Sequence, residues 1–113
     1  MTLHHPETEE EFDQIATDAG SKLIVIDFFA TWCPPCVRIG PFFKSLAEEE
    51  KYSDSCVFVK IDVDKAGDLS KRFKIRCMPT FKFVKDGEEL ETLEGASEEK
   101  LVALIAKHSG KSE

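Results

Sequence analysis

The amino-acid sequence reads as an α/β domain, a mixed β-sheet with helices packed on both of its faces. Three features carry that reading. Residues 22–29 form a continuous, β-rich apolar run, the pattern of a central strand covered on both sides. A helical pattern and a second strand-like run follow at residues 34–52 and 56–63, a succession that calls for parallel pairing through a right-handed crossover. Asp86-Gly87 then joins two more strand-like runs as an antiparallel hairpin. At 113 residues, with no repeat, linker or low-complexity segment, a single domain spanning 1–113 is expected.

Taken in order, Thr8 and Glu11 form a capping box, and Phe12, Ile15, Ala16 and Ala19 recur at helical spacing until Gly20 ends the first helix. The second helix, from Pro34 to about Tyr52, carries Val37, Phe42, Phe43, Leu46 and Ala47 on its apolar side. Pro41 should kink it. Residues 66–73 suit a short helix, and residues 80–84 and 88–93 are the hairpin strands. Ser97 caps the last helix, with Glu98 and Glu99 in its first turn, Lys107 and His108 in its last, and Gly110 beyond it, as the helix dipole favours. The ends beyond these elements, residues 109–113 above all, look loose.

The net charge is −7, from 22 acidic and 15 basic residues, and the lysines are interspersed with carboxylates rather than gathered in a stripe. Nucleic acid is not an expected partner. The opening MTLHHPETEEEF lacks a basic segment followed by an apolar one, and no apolar run approaches membrane-spanning length, so a soluble cytoplasmic protein with no membrane contact is expected. In that reducing compartment a close cysteine pair points to redox chemistry or metal binding rather than to a permanent staple. A zinc site would need a second Cys-x-x-Cys or a His-x-x-x-His to complete tetrahedral coordination, and the sequence contains neither.

The pair is Cys33 and Cys36, separated by Pro34 and Pro35 at the turn from strand to helix. Proline suits the first helical position because its missing amide would have been unpaired there. Cys33 is then the helix cap, where the positive end of the dipole stabilises a thiolate. It is the expected nucleophile, exposed to its substrate. Cys36, one turn deeper, is the shielded resolving thiol. Asp27, buried in the preceding strand, should have its pKa raised by desolvation and so accept the Cys36 proton, directly or through water. Lys60 on the neighbouring strand would temper that shift, or simply pair with Asp27 to settle a buried charge.

IDFFATWCPPC, Pro41, Lys60, the CMPT of residues 77–80, Asp86-Gly87 and Gly95 stand in the order and at the spacing of thioredoxin, which the chain resembles over nearly its full length. The resemblance implies that Trp32 borders the active site, that Pro79 is cis and faces the cysteines, and that Gly95 lies on the substrate-docking surface. It also implies a redox-active disulfide with no bound cofactor, and reduction by thioredoxin reductase at the expense of NADPH. Disulfide-containing proteins would be the substrates. Thioredoxins usually have Gly at the position of Pro34. With both intervening residues proline, the Cys36 amide is the nearest backbone donor to a Cys33 thiolate, while the stiffness of the pair holds the sulfurs close; the two effects on redox potential oppose each other.

Trp32, Pro34, Pro35, Met78, Pro79 and Gly95 make the expected surface for an extended partner. Cys77 is either an inert thiol or a regulatory one that links two otherwise monomeric copies. Cys56 reads as a small buried apolar residue. His4, His5 and His108 should face solvent, and Lys22, residues 48–51 and residues 88–91 should form solvated faces. An oxidant or isomerase of the same fold, or a noncatalytic binding module, are the competing readings.

Overall fold

Thr8 begins the ordered succession of helices by accepting the Glu11 amide at 3.1 Å, and α1 runs Glu9–Ala19 to Gly20. The Glu11 carboxylate reaches back to the Glu7 amide at 2.7 Å, one residue before the cap itself. The computed structural model describes residues 3–110. Strand β1 is Leu3–His4, β2 Leu23–Phe29, β3 Cys56–Asp62, β4 Thr80–Lys85 and β5 Glu88–Glu94. Helices α2, α3 and α4 are Pro34–Ala47, Gly67–Arg72 and Glu98–Ser109, and a 3-10 turn covers Glu50–Tyr52. The expectation of loose ends concerns, beyond Gly110, residues outside those described.

The sheet order is β1-β3-β2-β4-β5. β2 pairs in parallel with β3, from Leu23 opposite Cys56 to Phe29 opposite Asp62, and antiparallel with β4, with Phe28 opposite Thr80. Asp86 and Gly87 turn the β4–β5 hairpin with φ of 53° and 80°, the left-handed pair a tight hairpin requires. Side chains alternate across β2: Leu23 and Val25 join one core with Ile39, Phe43, Leu46, Leu101 and Ile105 of α2 and α4. Ile24, Ile26 and Phe28 join a second with Phe12, Leu69 and Phe73 on the side of α1 and α3.

Phe43 is fully buried, its ring edge-on to Phe58 at 5.6 Å and 5.8 Å from Phe81. Phe43→Ala should cost about 3–5 kcal/mol of unfolding free energy in urea titration; a loss below about 1 kcal/mol would contradict this packing.

Several expectations need correction. α2 stops at Ala47, and Glu49 is extended (ψ 128°) before the 3-10 turn. Residues 48–50 are all glutamate, and negative charge is unfavourable at a helix C-terminus. The buried stripe of α2 runs Cys36, Ile39, Phe43, Leu46 and Ala47, leaving Val37 62% exposed. One residue past Cys36, Val37 is turned about 100° from that stripe. Pro41 lies inside the helix, as its place in the sequence leads one to expect.

His108 faces the protein rather than solvent, with its ring nitrogen 3.2 Å from Glu91, and His4 is half-buried in β1. Residues 88–91 are likewise tethered where an opposing cation is available: Glu89 takes Lys82 Nζ at 3.0 Å and Glu91 takes Lys107 Nζ at 3.1 Å. Lys22 Nζ donates to the Ser53 carbonyl at 3.2 Å. No helix among the described residues is long and apolar enough to cross a membrane.

Candidate active site

Register brings four chain segments to one end of the sheet. β2 and β3 are parallel, so the residues that follow them, Ala30 to Cys33 and Val63-Asp64, leave side by side, and Val63 N donates to Phe29 O at 3.0 Å. β4 runs the other way, so the residues that precede it, Met78 and Pro79, arrive at that same end. Thr80 opposes Glu94, which places Gly95 there too, with Gly95 N donating to Pro79 O at 3.0 Å. Clefts beyond the carboxyl ends of parallel strands are where α/β sheets accept ligands.

Cys33 caps α2 and Pro34 and Pro35 are its first two helical residues. They supply no amide, so Cys36 N is the donor that reaches Cys33 Sγ, at 3.3 Å. Cys33 and Cys36 form a disulfide with Cα atoms 5.3 Å apart. The Met78 carbonyl lies 3.6 Å from Cys33 Sγ. Contrary to the expectation of an exposed nucleophile above a shielded partner, Cys33 is 5% exposed and Cys36 4%. Ala30 packs with both, and Phe29, Val63 and Met78 cover them. What distinguishes the sulfurs is position along the helix, since Cys33 holds the cap.

Asp27 is 1% exposed and neither carboxylate oxygen has a hydrogen-bond partner. Burial pushes its pKa up to about 7, and the Lys60 ammonium offsets part of that rise. Lys60 is Asp27's register partner across β2 and β3, yet the two form no ion pair. Its Nζ rests instead over the Phe29 ring, 4.3 Å from the centroid. Both protonation states of Asp27 are therefore accessible at neutral pH.

The rim is uneven. Trp32 is 65% exposed, and its indole N–H donates to Asp64 Oδ2 at 2.8 Å. Pro34 is exposed, while Pro35, Met78 and Gly95 are half-buried. The Met78–Pro79 bond is cis. Pro79 is buried, contrary to its expected place on the open surface: it leads into central strand β4, whose first five residues are buried as well. Arg76 donates to both Glu94 carboxylate oxygens, at 2.8 and 3.0 Å, tying the segment before Pro79 to the one before Gly95. That contact holds the Glu94 carboxyl below the usual carboxylate range. Cys77 is exposed, and its carbonyl accepts the Thr80 hydroxyl at 2.6 Å. Cys56 is buried in the core.

The family model described as Thioredoxin matches residues 4–107. The chain belongs to the thioredoxin family. It is 45% identical over 104 residues to the thioredoxin of Ictalurus punctatus, covering 92% of this chain and 96% of that one. With the thioredoxin of Ophiophagus hannah it shares 50% identity over 98 residues, 87% of this chain and 90% of the other. The reduced thioredoxin pre-protein of Schistosoma mansoni superposes with a TM-score of 0.87 at 39% identity, over 96% of this chain and 99% of that one.

This thioredoxin-family chain is a thiol–disulfide oxidoreductase, a protein-disulfide reductase whose redox-active disulfide is Cys33–Cys36. Family membership brings disulfide-containing proteins and thioredoxin reductase as its general partners, with NADPH used through that reductase. Among the described residues no group of three His, Cys, Asp or Glu side chains is placed to hold a metal ion.

Sequence reasoning missed Asp64, Arg76 and Glu94. Asp64 had a usable signal: once β2 and β3 are read as parallel neighbours, the residues just past their ends must meet. Arg76 and Glu94 are distant in sequence, and only the β4–β5 register joins them.

Proposed function

We propose that this chain is a general dithiol reductant of protein disulfides, with Cys33 as nucleophile, Cys36 as resolving thiol and Asp27 as proton acceptor. One observation carries the assignment: Cys33 Sγ caps α2 and accepts the Cys36 amide, the position that stabilises negative charge on sulfur. The Cys33 thiolate attacks one sulfur of the substrate disulfide and expels the other as thiolate, leaving a mixed disulfide at Cys33. Cys36 passes its proton to Asp27 and attacks Cys33 Sγ, expelling the second substrate sulfur and closing Cys33–Cys36. Two electrons pass from the dithiol to the substrate. Thioredoxin reductase and NADPH return them.

Lys60 tunes Asp27 through space. Trp32, Pro34, Pro35, Met78 and Gly95 form the surface that receives the substrate, with Pro79 beneath it. The protein acts in the cytoplasm as a single-domain monomer over residues 1–113, and Cys77, exposed beside that surface, is the thiol through which two copies can link by a disulfide. Insulin reduction coupled to thioredoxin reductase tests the reading. NADPH consumption that requires this chain is expected, and its absence with folded protein would overturn it.

A further inference from the structure

A groove of about 820 Å³ opens on the Cys36 side of α2, lined by residues of β1, α2, β3 and the end of β2. It is separate from the docking surface, since neither Trp32, Met78, Pro79 nor Gly95 lines it. Its size is that of a small-molecule site, and the combination of an apolar lining with few charged groups is what such sites use.

Lys60 lies half-buried in this groove with its ammonium over the Phe29 ring, 4.3 Å from the centroid. Among the described residues it forms no ion pair. Gly40 stands opposite it on α2, where a Cβ would come within 3.6 Å of Lys60 Nζ, so the absent side chain leaves the ammonium open to the groove. A partly desolvated cation without a counter-ion favours an anionic ligand. Lys44 adds a second positive charge to the lining, against Glu48 as its carboxylate. Within the lining the surplus is one positive charge, felt in full while Asp27, the cross-strand neighbour of Lys60, holds its proton, on a chain whose net charge is −7. His5, also in the lining, feels that field: partial burial, then the Lys60 charge, then His4 lower its pKa. The apolar part of the wall comes from Leu3, Pro41, Ala47 and Val37, the last 62% exposed although it belongs to a helix that is otherwise apolar on its buried side.

We propose that this groove binds a small amphiphilic carboxylate, its acidic head at Lys60 and its apolar body along Val37, Pro41 and Leu3. One surplus charge matches one carboxylate, and the exposed apolar wall gains from a hydrocarbon body as neither water nor a bare anion would allow. The groove adjoins the exchange centre, since Cys36 lines it and Lys60 acts on Asp27, but ligand binding to the oxidised protein is read without turnover, so failure of insulin reduction and failure of this binding are separate results.

Octanoate titrated into the ¹⁵N-labelled oxidised protein is the test, with 1-octanol as the body without the head and acetate as the head without the body. Saturable shifts of the Gly40 and Val37 amides are expected with octanoate, at least about tenfold tighter than with either control, a difference of about 1.4 kcal/mol. The Trp32 indole and Gly95 amide should stay in place. Lys60→Met should weaken octanoate binding by about tenfold or more. Gly40→Leu, which keeps Lys60 and raises helix propensity while filling the groove, should do the same. Equal binding of octanol, unchanged binding by both variants, or shifts of Trp32 and Gly95 together with Gly40 would overturn the proposal.

Discussion

Cys36→Ser converts this reductase into a trap. The variant keeps the Cys33 thiol at the head of α2 and therefore attacks substrate disulfides, but no second thiol follows at the depth of Cys36 to release them. Mixed disulfides with Cys33 should accumulate in stoichiometric amount and disappear on adding dithiothreitol. Cys33→Ser, by contrast, should lose turnover by at least about 10³-fold and trap nothing, because a serine hydroxyl does not exchange with disulfides at neutral pH. Non-reducing electrophoresis of both variants after exposure to a disulfide substrate separates the roles. Adducts formed by Cys33→Ser through Cys36, and not by Cys36→Ser, would reverse them.

The second large effect comes from Asp27. Its folded pKa of about 7 stands well above the ordinary carboxyl value of 3.8. Below pH 3.8 the carboxyl is protonated whether the chain is folded or unfolded, and it contributes no pH dependence. Between the two values the unfolded chain ionises while the folded one holds its proton, so native stability falls as pH rises; above 7 the full cost is present. Over that window Asp27 removes about 4 kcal/mol. Asp27→Asn should abolish this dependence, so the variant's stability relative to the natural protein should rise by about that amount between pH 3.5 and pH 8 in urea unfolding. A gap that does not change with pH would mean that Asp27 titrates normally in the folded state. The same substitution should slow release of the mixed disulfide near neutral pH, because the resolving thiol loses its proton acceptor.

This destabilisation bears on function. A buried carboxylate without a hydrogen-bond partner is the kind of feature that packing alone would remove, and it lies in β2, the strand that leads into the cysteine turn.

The reading of fold from sequence succeeded where a single local pattern carried the information. β2 is a continuous apolar run with neighbours on both sides, and Asp86-Gly87 can make few turns other than the one observed. Thr8, Cys33 and Ser97 cap their helices through their own side chains. β1 escaped notice because the two residues Leu3–His4 are too short to show a period, and only β3 makes them a strand. The burial of Cys33 and Pro79 was equally invisible. For Cys33 it depends on Val63 and Met78, which lie far from it in the chain and pack against the cysteines, and Pro79 is buried where it leads into central strand β4. The Cys33, Cys36 and Asp27 constellation was legible because its members lie within ten residues on consecutive elements, whereas the Arg76–Glu94 and Trp32–Asp64 contacts required the sheet register.

The claim on which the mechanism stands is that a sulfur at the start of α2 ionises more readily than one a turn deeper. Titration of the fully reduced protein, following the Cys33 and Cys36 Cβ carbons by NMR, measures this directly. The account predicts that Cys33 ionises well below the value of about 8.5 of an unperturbed thiol, and before Cys36. A Cys33 that titrates at or above that value, or after Cys36, would contradict it.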